Sequence, residues 1–224
     1  MSKRTVGLIL FAACPAVAGA QGPRVTQPKD YLMERAAEVA LARSAAPRAV
    51  SDSATVWVLG DDGYAPAAEG SNGFVCYVAR SMSLVPVRAD GTPSRDYLNP
   101  AIRAPHCMSP EAARSIGAWH ALMTRLALRG LTQSAIDSAV RAAVAGGELA
   151  PPRSFAIAYM WSPHQHLGAN VGAWKPHMMV YTPYINQGMV GETEPLGDGP
   201  QVLDGGTPWA ALIVPVRQFA SAGS

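Results

Sequence analysis

Histidines are the residues of this chain best suited to metal chemistry. His164 and His166 stand two positions apart, which in an extended segment places both imidazoles on the same side. His177 opens the next apolar segment. If the segments on either side of this loop pair as a hairpin, the three rings converge at one sheet edge. Three neutral imidazoles with an open fourth position suit zinc and also accept copper or iron. The spacing therefore predicts a metal site at these three histidines.

Such a site would supply an activated water. A bound transition metal lowers the pKa of water and generates a hydroxide nucleophile near neutral pH, while Tyr181 or Lys175 would help to polarise a substrate oxygen. The cofactor would be zinc or another transition metal, and the catalytic residues are not defined by the sequence. The alternative is an ordered, hydrogen-bonded loop without metal. Either way, the loop 162–177 is the expected site for a small ligand or a metal.

Aromatic residues flank the same loop, among them Trp161, Trp174 and Tyr181. Stacked on a sheet edge, they would form a platform for a small aromatic or sugar ligand. The alternative is that they form the rim of the hydrophobic core. We therefore predict these three residues as ligand-binding candidates.

Two cysteines, Cys76 and Cys107, follow the first twenty residues. In an exported protein, two thiols favour a disulfide, here closing a loop of about thirty residues and restricting the unfolded chain. The alternative is a nucleophilic Cys76 activated by His177 or His106. However, Cys76 lies in an apolar run rather than at a helix N-terminus, where a thiolate would be stabilised.

The first twenty residues have the organisation of a secretory signal peptide. Lys3 and Arg4 precede an apolar stretch of about 12 residues, and Ala18–Ala20 provides the small residues of a cleavage site. This stretch is too short to span a membrane. An alternative interpretation makes Cys14 the acylated cysteine of a lipobox. We predict a signal peptide over 1–20 and an exported protein, periplasmic or secreted, without a transmembrane segment in the mature chain.

The composition is that of a folded globular protein. Of 224 residues, 49% are apolar and only 15% are charged, which excludes a disordered chain. Without 1–20, the remaining residues carry 16 basic and 16 acidic side chains and are formally neutral. A neutral chain with scattered arginines argues against nucleic-acid binding.

The pattern of the first half predicts one helix and three strands. Asp30 would cap a helix over 31–44. β-Rich segments at 55–59, 64–68 and 74–79 are separated by glycine turns and predict a β-meander. Five prolines and glycines between 81 and 108 predict a long irregular crossing.

The second half predicts a helical hairpin and three strands. Ser109 and Pro110 are a strong helix start, Gly130 ends that helix, and Thr132 caps the next. Strands are expected at 154–161, 177–182 and 210–216. The second of these places His177, Met179 and Tyr181 on one side. The prediction is a single α+β domain over 21–224. It has an antiparallel sheet of five or six strands and three helices, two of them forming a hairpin packed on one face.

Three segments, at 38–47, 72–76 and 175–179, resemble segments of exported bacterial proteins that carry no assigned activity. The resemblance implies an exported single domain and assigns no catalytic residue. Two functional hypotheses follow from the sequence. The first is small-ligand or metal binding at the histidine loop, with metal-assisted hydrolysis if the protein is an enzyme. The second is a non-catalytic envelope protein with a structural disulfide.

Overall fold

Eight strands form one mixed sheet in the computed structural model, which describes residues 27–82, 98–168, 171–191 and 197–217. The sheet order is β2-β1-β3-β4-β5-β6-β8-β7. The strands are β1 (Thr55–Gly60), β2 (Gly63–Ala68), β3 (Val75–Ala79), β4 (Ala104–Met108), β5 (Ala156–Met160), β6 (His177–Tyr181), β7 (Gln201–Leu203) and β8 (Ala211–Pro215). The α+β class is confirmed, but the expectation of five or six strands is wrong because β4 and β7 extend the sheet.

Strand β4 lies inside the stretch predicted to be irregular. Pro105 has no backbone N–H and argues against a central strand. The structure accommodates it because the pairing of β4 with β5 covers only Cys107 and Met108, so Pro105 lies beyond the end of that ladder. On its other side β4 pairs with β3 along its whole length.

The predicted meander is also wrong. Strands β1 and β2 form an antiparallel hairpin, but β3 then crosses to the other side of β1 and runs parallel to it. The pairing is short and joins Thr55 to Val75 and Val56 to Cys76. One parallel pair therefore makes the sheet mixed rather than antiparallel.

Four helices accompany the sheet in the described residues, rather than the three predicted. They are α1 (Arg35–Arg43), α2 (Arg48–Ser51), α3 and α4 (Gln133–Ala145). Helix α3 is continuous from Pro110–Ala112 through the π-helical turn Ala113–Gly117 into Ala118–Leu128. The single turn of α2 was missed because it is only four residues long.

Helix α1 begins later than predicted. Pro28–Tyr31 is a separate 3₁₀ turn, so Asp30 does not cap the helix. Instead, the carboxylate of Glu34 accepts hydrogen bonds from the backbone N–H groups of Ala36 and Ala37 at 2.9 and 2.8 Å. These bonds satisfy two of the donors that a helix start leaves free and hold the pKa of Glu34 below its ordinary value.

The predicted helical hairpin is confirmed. Helix α3 begins after Ser109, Gly130 follows it with φ of 80°, and the Thr132 side chain caps α4. Met123 of α3 and Ile136 of α4 share one buried cluster. This hairpin lies on one side of the sheet.

Helices cover both faces of the sheet, not one. Alternate residues of β3 separate the two layers: Cys76 and Val78 pack with the helix α1 segment, whereas Tyr77 and Ala79 pack with helix α3. Every residue of β4 is buried. Strands that are buried on both faces are the pattern expected when both faces are covered.

A disulfide joins Cys76 and Cys107, as predicted. The two residues lie directly opposite each other on β3 and β4, and both are fully buried. With its sulfur bonded, Cys76 is not available as a nucleophile, which removes the alternative of thiol catalysis.

Within the described ranges, no helix has the length and apolar character needed to cross a membrane. The predicted signal peptide at 1–20 and the alternative acylation of Cys14 lie outside those ranges.

Candidate functional site

A cavity of about 240 Å³ lies between the sheet and helix α3. Its floor is formed by one face of β4, β5, β6 and β8, its wall by α3, and its rim by three loops. The side chains that the sheet contributes are mostly apolar, with two histidines among them: His106, Met160, His177, Met179, Tyr181 and Ile213.

Strand register explains why these side chains share one face. Met160 lies opposite His177, and Met179 lies opposite Ile213. Since side chains alternate along a strand, every second residue of β6 points into the cavity, which places His177, Met179 and Tyr181 there together. The sequence prediction that these three share a side is confirmed.

Tryptophans form much of the rim. Trp119 of α3 stacks on Trp209 with ring centres 5.2 Å apart, and the two planes are only 18° from parallel. Trp174 lies 4.8 Å from the His177 ring. All three tryptophans are only partly buried, so the cavity wall continues to the surface as an aromatic edge.

Two rim residues have an unusual backbone. Trp174 and Asp204 have φ of 40° and 51°, in the left-handed region that favours glycine. Aspartate tolerates this region, but a bulky tryptophan there costs energy that surrounding structure must supply. Such strained residues cluster at ligand sites, and both of these line the same cavity.

Three histidines meet at this cavity: His106 on β4, His120 on α3 and His177 on β6. The ring centres of His106 and His120 are 5.8 Å apart. All three are nearly inaccessible to solvent, with exposed fractions of 1%, 5% and 3%. Their Nδ1 atoms have defined partners. The Nδ1 of His106 lies 2.8 Å from the Ala104 carbonyl, and that of His177 lies 2.8 Å from the Lys175 carbonyl.

Burial keeps these imidazoles uncharged at neutral pH. Desolvation lowers the pKa of His106 and that of His177 to about 4, although the hydrogen bond to a carbonyl acts in the opposite direction in each. Desolvation also takes the pKa of His120 well below its ordinary value, and the neighbouring His106 adds to this shift. The cavity therefore contains neutral rings that hold a proton on one nitrogen and a lone pair on the other.

Tyr77 contacts two of the three cavity histidines. Its hydroxyl lies 2.7 Å from the Nδ1 of His120, and its ring stacks on His106 at 5.8 Å. Tyr77 is 1% exposed, and burial raises the pKa of its hydroxyl well above the ordinary value. The neutral Tyr77 hydroxyl thus fixes the orientation of the His120 ring.

The structure separates the three histidines of the predicted metal site. His177 lines the cavity, but His164 is exposed and His166 is held by backbone hydrogen bonds with Arg103. In the described ranges, no group of three or more His, Cys, Asp or Glu side chains is placed to hold a metal ion. Ligation by His164, His166 and His177 stays a prediction that the geometry does not strengthen.

Of the three aromatic residues predicted to bind a ligand, two line the cavity and one does not. Trp174 and Tyr181 line the cavity. Trp161 does not, because its ring packs edge-on against Tyr159 at 5.3 Å and its backbone N–H donates to the Ala45 carbonyl. Both contacts place Trp161 beside the α1 layer, on the other face of the sheet.

The sequence named His106, His120 and Asp204 only as secondary candidates. His106 was a possible activator of Cys76 or, with Cys107 and His120, a possible metal ligand, and Asp204 was one of several acids that could complete the histidine site. His106 falls in the proline-rich stretch that was predicted to be irregular, so its strand was not recognised. His120 was expected at the core edge beside Trp119, and only the packing of α3 on the sheet brings it to His106. One signal for His106 was available. His106 and Tyr77 each stand next to a cysteine, so the predicted bond between Cys76 and Cys107 implies that their two segments lie side by side.

Comparisons with protein-family models, with curated proteins and with solved structures found no match to this chain. Its function must therefore be argued from the cavity.

Acidification from pH 7 to pH 5 is expected to lower the free energy of unfolding by at least about 2 kcal/mol net. The pKa values of the three cavity histidines are lower in the folded protein than in the unfolded chain. Their stabilising contribution is therefore present above pH 6.5 and is lost as pH falls towards 4. Asp204 opposes this trend because burial raises its pKa to about 6, so its unfavourable ionisation is relieved on acidification.

Urea unfolding at both pH values measures this difference. His177→Gln should reduce the loss of stability on acidification, whereas His164→Gln, which removes an exposed ring, should leave it as in the wild type. Equal stability at pH 7 and pH 5 in the wild type would contradict the buried, neutral histidines.

Proposed function

We propose that this protein is an exported domain that binds a small, largely apolar molecule in the cavity between its sheet and helix α3. The observation that carries the proposal is the cavity itself: about 240 Å³, with an apolar floor, an aromatic rim and a few convergent polar groups. Such a combination is the usual character of a small-molecule site. Export is proposed from the signal-like residues 1–20 and is supported by the disulfide between Cys76 and Cys107.

The size of the cavity sets the size of the ligand. An apolar protein cavity of about 150 Å³ takes one benzene ring. A volume of about 240 Å³ therefore has room for a substituted or fused ring. Met160 and Met179 in the floor favour such a ligand because flexible, polarizable thioethers adapt to flat aromatic surfaces.

Rigid support is a second reason to favour binding. The floor consists of four hydrogen-bonded strands, and Tyr77 and the two backbone carbonyls orient the polar rings. A preformed site loses less conformational freedom when a ligand enters, which improves affinity. The strained rim at Trp174 and Asp204 is consistent with selection for the shape of this site.

Toluene is a suitable first probe because it has no polar group. We expect saturable binding at one site per chain, observed by NMR chemical-shift changes and by quenching of tryptophan fluorescence from the rim. Ile213→Trp should abolish binding because Ile213 lies on the cavity floor. The matched control is Val214→Trp, since Val214 is the next residue of the same strand and is 37% exposed.

The control variant should bind toluene as the wild type does. The proposal fails if neither toluene nor its hydroxylated analogue 4-methylphenol binds, or if Ile213→Trp binds them as well as Val214→Trp does.

A further inference from the structure

We infer that the ligand is an uncharged aromatic ring carrying a hydrogen-bond donor, a phenol-type hydroxyl. This inference rests on the proposed function and specifies the class of molecule that the cavity would select. It follows from the polar groups on the cavity lining: two histidine nitrogens and a carboxylate accept, and the indole N–H of Trp119 is a buried donor that has no hydrogen-bond partner.

The two floor histidines are fixed as acceptors. A neutral imidazole carries one N–H, and in both His106 and His177 the Nδ1 is 2.8 Å from a backbone carbonyl, which can only accept. The proton must therefore lie on Nδ1. In each ring Nε2 is left with a lone pair, and both rings line the cavity. A ligand that enters must supply a donor to these nitrogens or leave them unsatisfied.

A further acceptor on the lining is the Asp204 carboxyl. It is mainly buried, and desolvation raises its pKa to about 6, so at pH 7.5 it is ionised and can only accept. Three acceptors thus line one small apolar space, together with one unpaired donor, the Trp119 indole N–H. A ligand that offers only acceptors, such as a ketone or an ether, leaves these three acceptors without a donor, whereas a hydroxyl can donate to one of them and also accept from Trp119.

Charged ligands fit the cavity less well. Among the described residues that line it there is no lysine or arginine, so a carboxylate or phosphate ligand has no partner of opposite charge. Lys175, the nearest lysine in sequence, is ion-paired with Asp198 instead. An ammonium group could pair with the Asp204 carboxylate, but the desolvation that keeps His106, His120 and His177 uncharged also opposes burial of that charge.

An uncharged donor satisfies all of these conditions. A phenolic ring places its apolar body against Met160 and Met179, and its hydroxyl can donate to Nε2 of His177 or His106. The rim tryptophans are then positioned to contact the edge of the ligand ring. The binding step transfers no proton, since an imidazole with a pKa of about 4 is too weak a base to ionise a phenol.

Five probes of matched shape test the inference: 4-methylphenol, toluene, 4-methylanisole, 4-methylbenzoate and 4-methylbenzylammonium. Isothermal titration and NMR on the full chain at pH 7.5 give the dissociation constants. We expect 4-methylphenol to bind at least about tenfold more tightly than toluene or 4-methylanisole, and the two ions to bind most weakly.

Variants locate the acceptor. His177→Leu and His106→Leu should each reduce the preference for 4-methylphenol over toluene. His164→Leu is the matched control because His164 is exposed and outside the cavity. If both floor variants fail to fold, ¹⁵N shifts of the wild-type imidazoles report the same contact, because an Nε2 that accepts a hydrogen bond moves when 4-methylphenol is added.

The outcomes separate the two proposals. Binding of toluene and 4-methylanisole with the same affinity as 4-methylphenol overturns the donor inference and leaves the apolar site intact. Tightest binding of the benzoate or the ammonium compound also overturns it, and points to an ionic contact. Failure of both toluene and 4-methylphenol to bind overturns the proposed function itself.

Discussion

Replacing Arg80 with methionine is expected to lower the free energy of unfolding by about 3–5 kcal/mol. Arg80 and Glu38 form an ion pair in which an Arg80 guanidinium nitrogen lies 2.8 Å from Oε1 of Glu38, and neither side chain is more than 1% exposed. The variant leaves the Glu38 carboxylate buried without its cation. Removing one partner of a buried pair is far more damaging than removing both, because an uncompensated charge stays in a medium of low dielectric.

The neighbouring hydrogen bonds explain why this pair is so important to the fold. Arg80 also donates to the backbone carbonyls of Tyr31 and Val78, and Glu38 accepts from the backbone N–H of Leu59. The pair therefore connects the 3₁₀ turn, helix α1, strand β1 and the end of strand β3. Without the guanidinium, two buried carbonyls also lose a donor.

Urea unfolding followed by circular dichroism measures the effect. The matched control is Arg48→Met, because Arg48 forms an ion pair with Asp52 on the surface and should change stability by less than about 1 kcal/mol. The double variant Glu38→Leu/Arg80→Met should be more stable than the sum of the two single losses predicts. A loss for Arg80→Met as small as that for Arg48→Met would contradict the buried pair.

Local signals predicted most of the helices and strands of this fold. Ser109 before Pro110, Thr132 at a helix start and glycine at Gly130 act through their own backbone, so neighbouring residues suffice to recognise them. The order of strands depends on contacts distant in sequence. The glycine turn at 70–73 is compatible with two positions for β3, either next to β2 or on the far side of β1. In the structure β3 lies on the far side of β1.

The candidate site was predictable only in part, for the same reason. The alternation of His177, Met179 and Tyr181 gave their common face correctly, since side-chain direction along a strand is a local property. His106 and His120 are brought together by the packing of α3 on β4, and no spacing in the sequence encodes that contact. His164 and His166 were predicted to act together because they are close in sequence, yet neither of them lines the cavity.

The two faces of the sheet differ in how they are packed. The α1 face is filled by small side chains such as Ala42 and Val56 and holds the disulfide. The α3 face contains the histidines and the apolar cavity. Cross-linking the β3–β4 pair through the back of the sheet supports His106 without occupying the space that a ligand needs.

Replacing Cys76 and Cys107 together with alanine is expected to lower the free energy of unfolding by about 3–4 kcal/mol. The disulfide spans 31 positions of the sequence, and closing a loop of that length removes conformational freedom mainly from the unfolded chain. Both residues are fully buried between sheet and helix α1, so the lost sulfur packing adds to the effect. Guanidinium unfolding of the oxidised wild type and of the double variant gives the difference.

Reductant supplies the control for this prediction. It should bring the wild type close to the double variant and leave the double variant unchanged, and a wild type that reductant does not destabilise would contradict a stabilising bridge.

The state of the two thiols also tests the proposed export. A reducing cytosol keeps thiols free, whereas an oxidising compartment allows the disulfide to form. If the protein is exported, a sample taken directly from cells and unfolded without reductant should therefore show no titratable thiol at Cys76 or Cys107. Its mass should then correspond to a chain beginning at Gln21. Two free thiols on a chain that retains residues 1–20 would place the protein in the cytosol, and the disulfide would then be absent where the protein works.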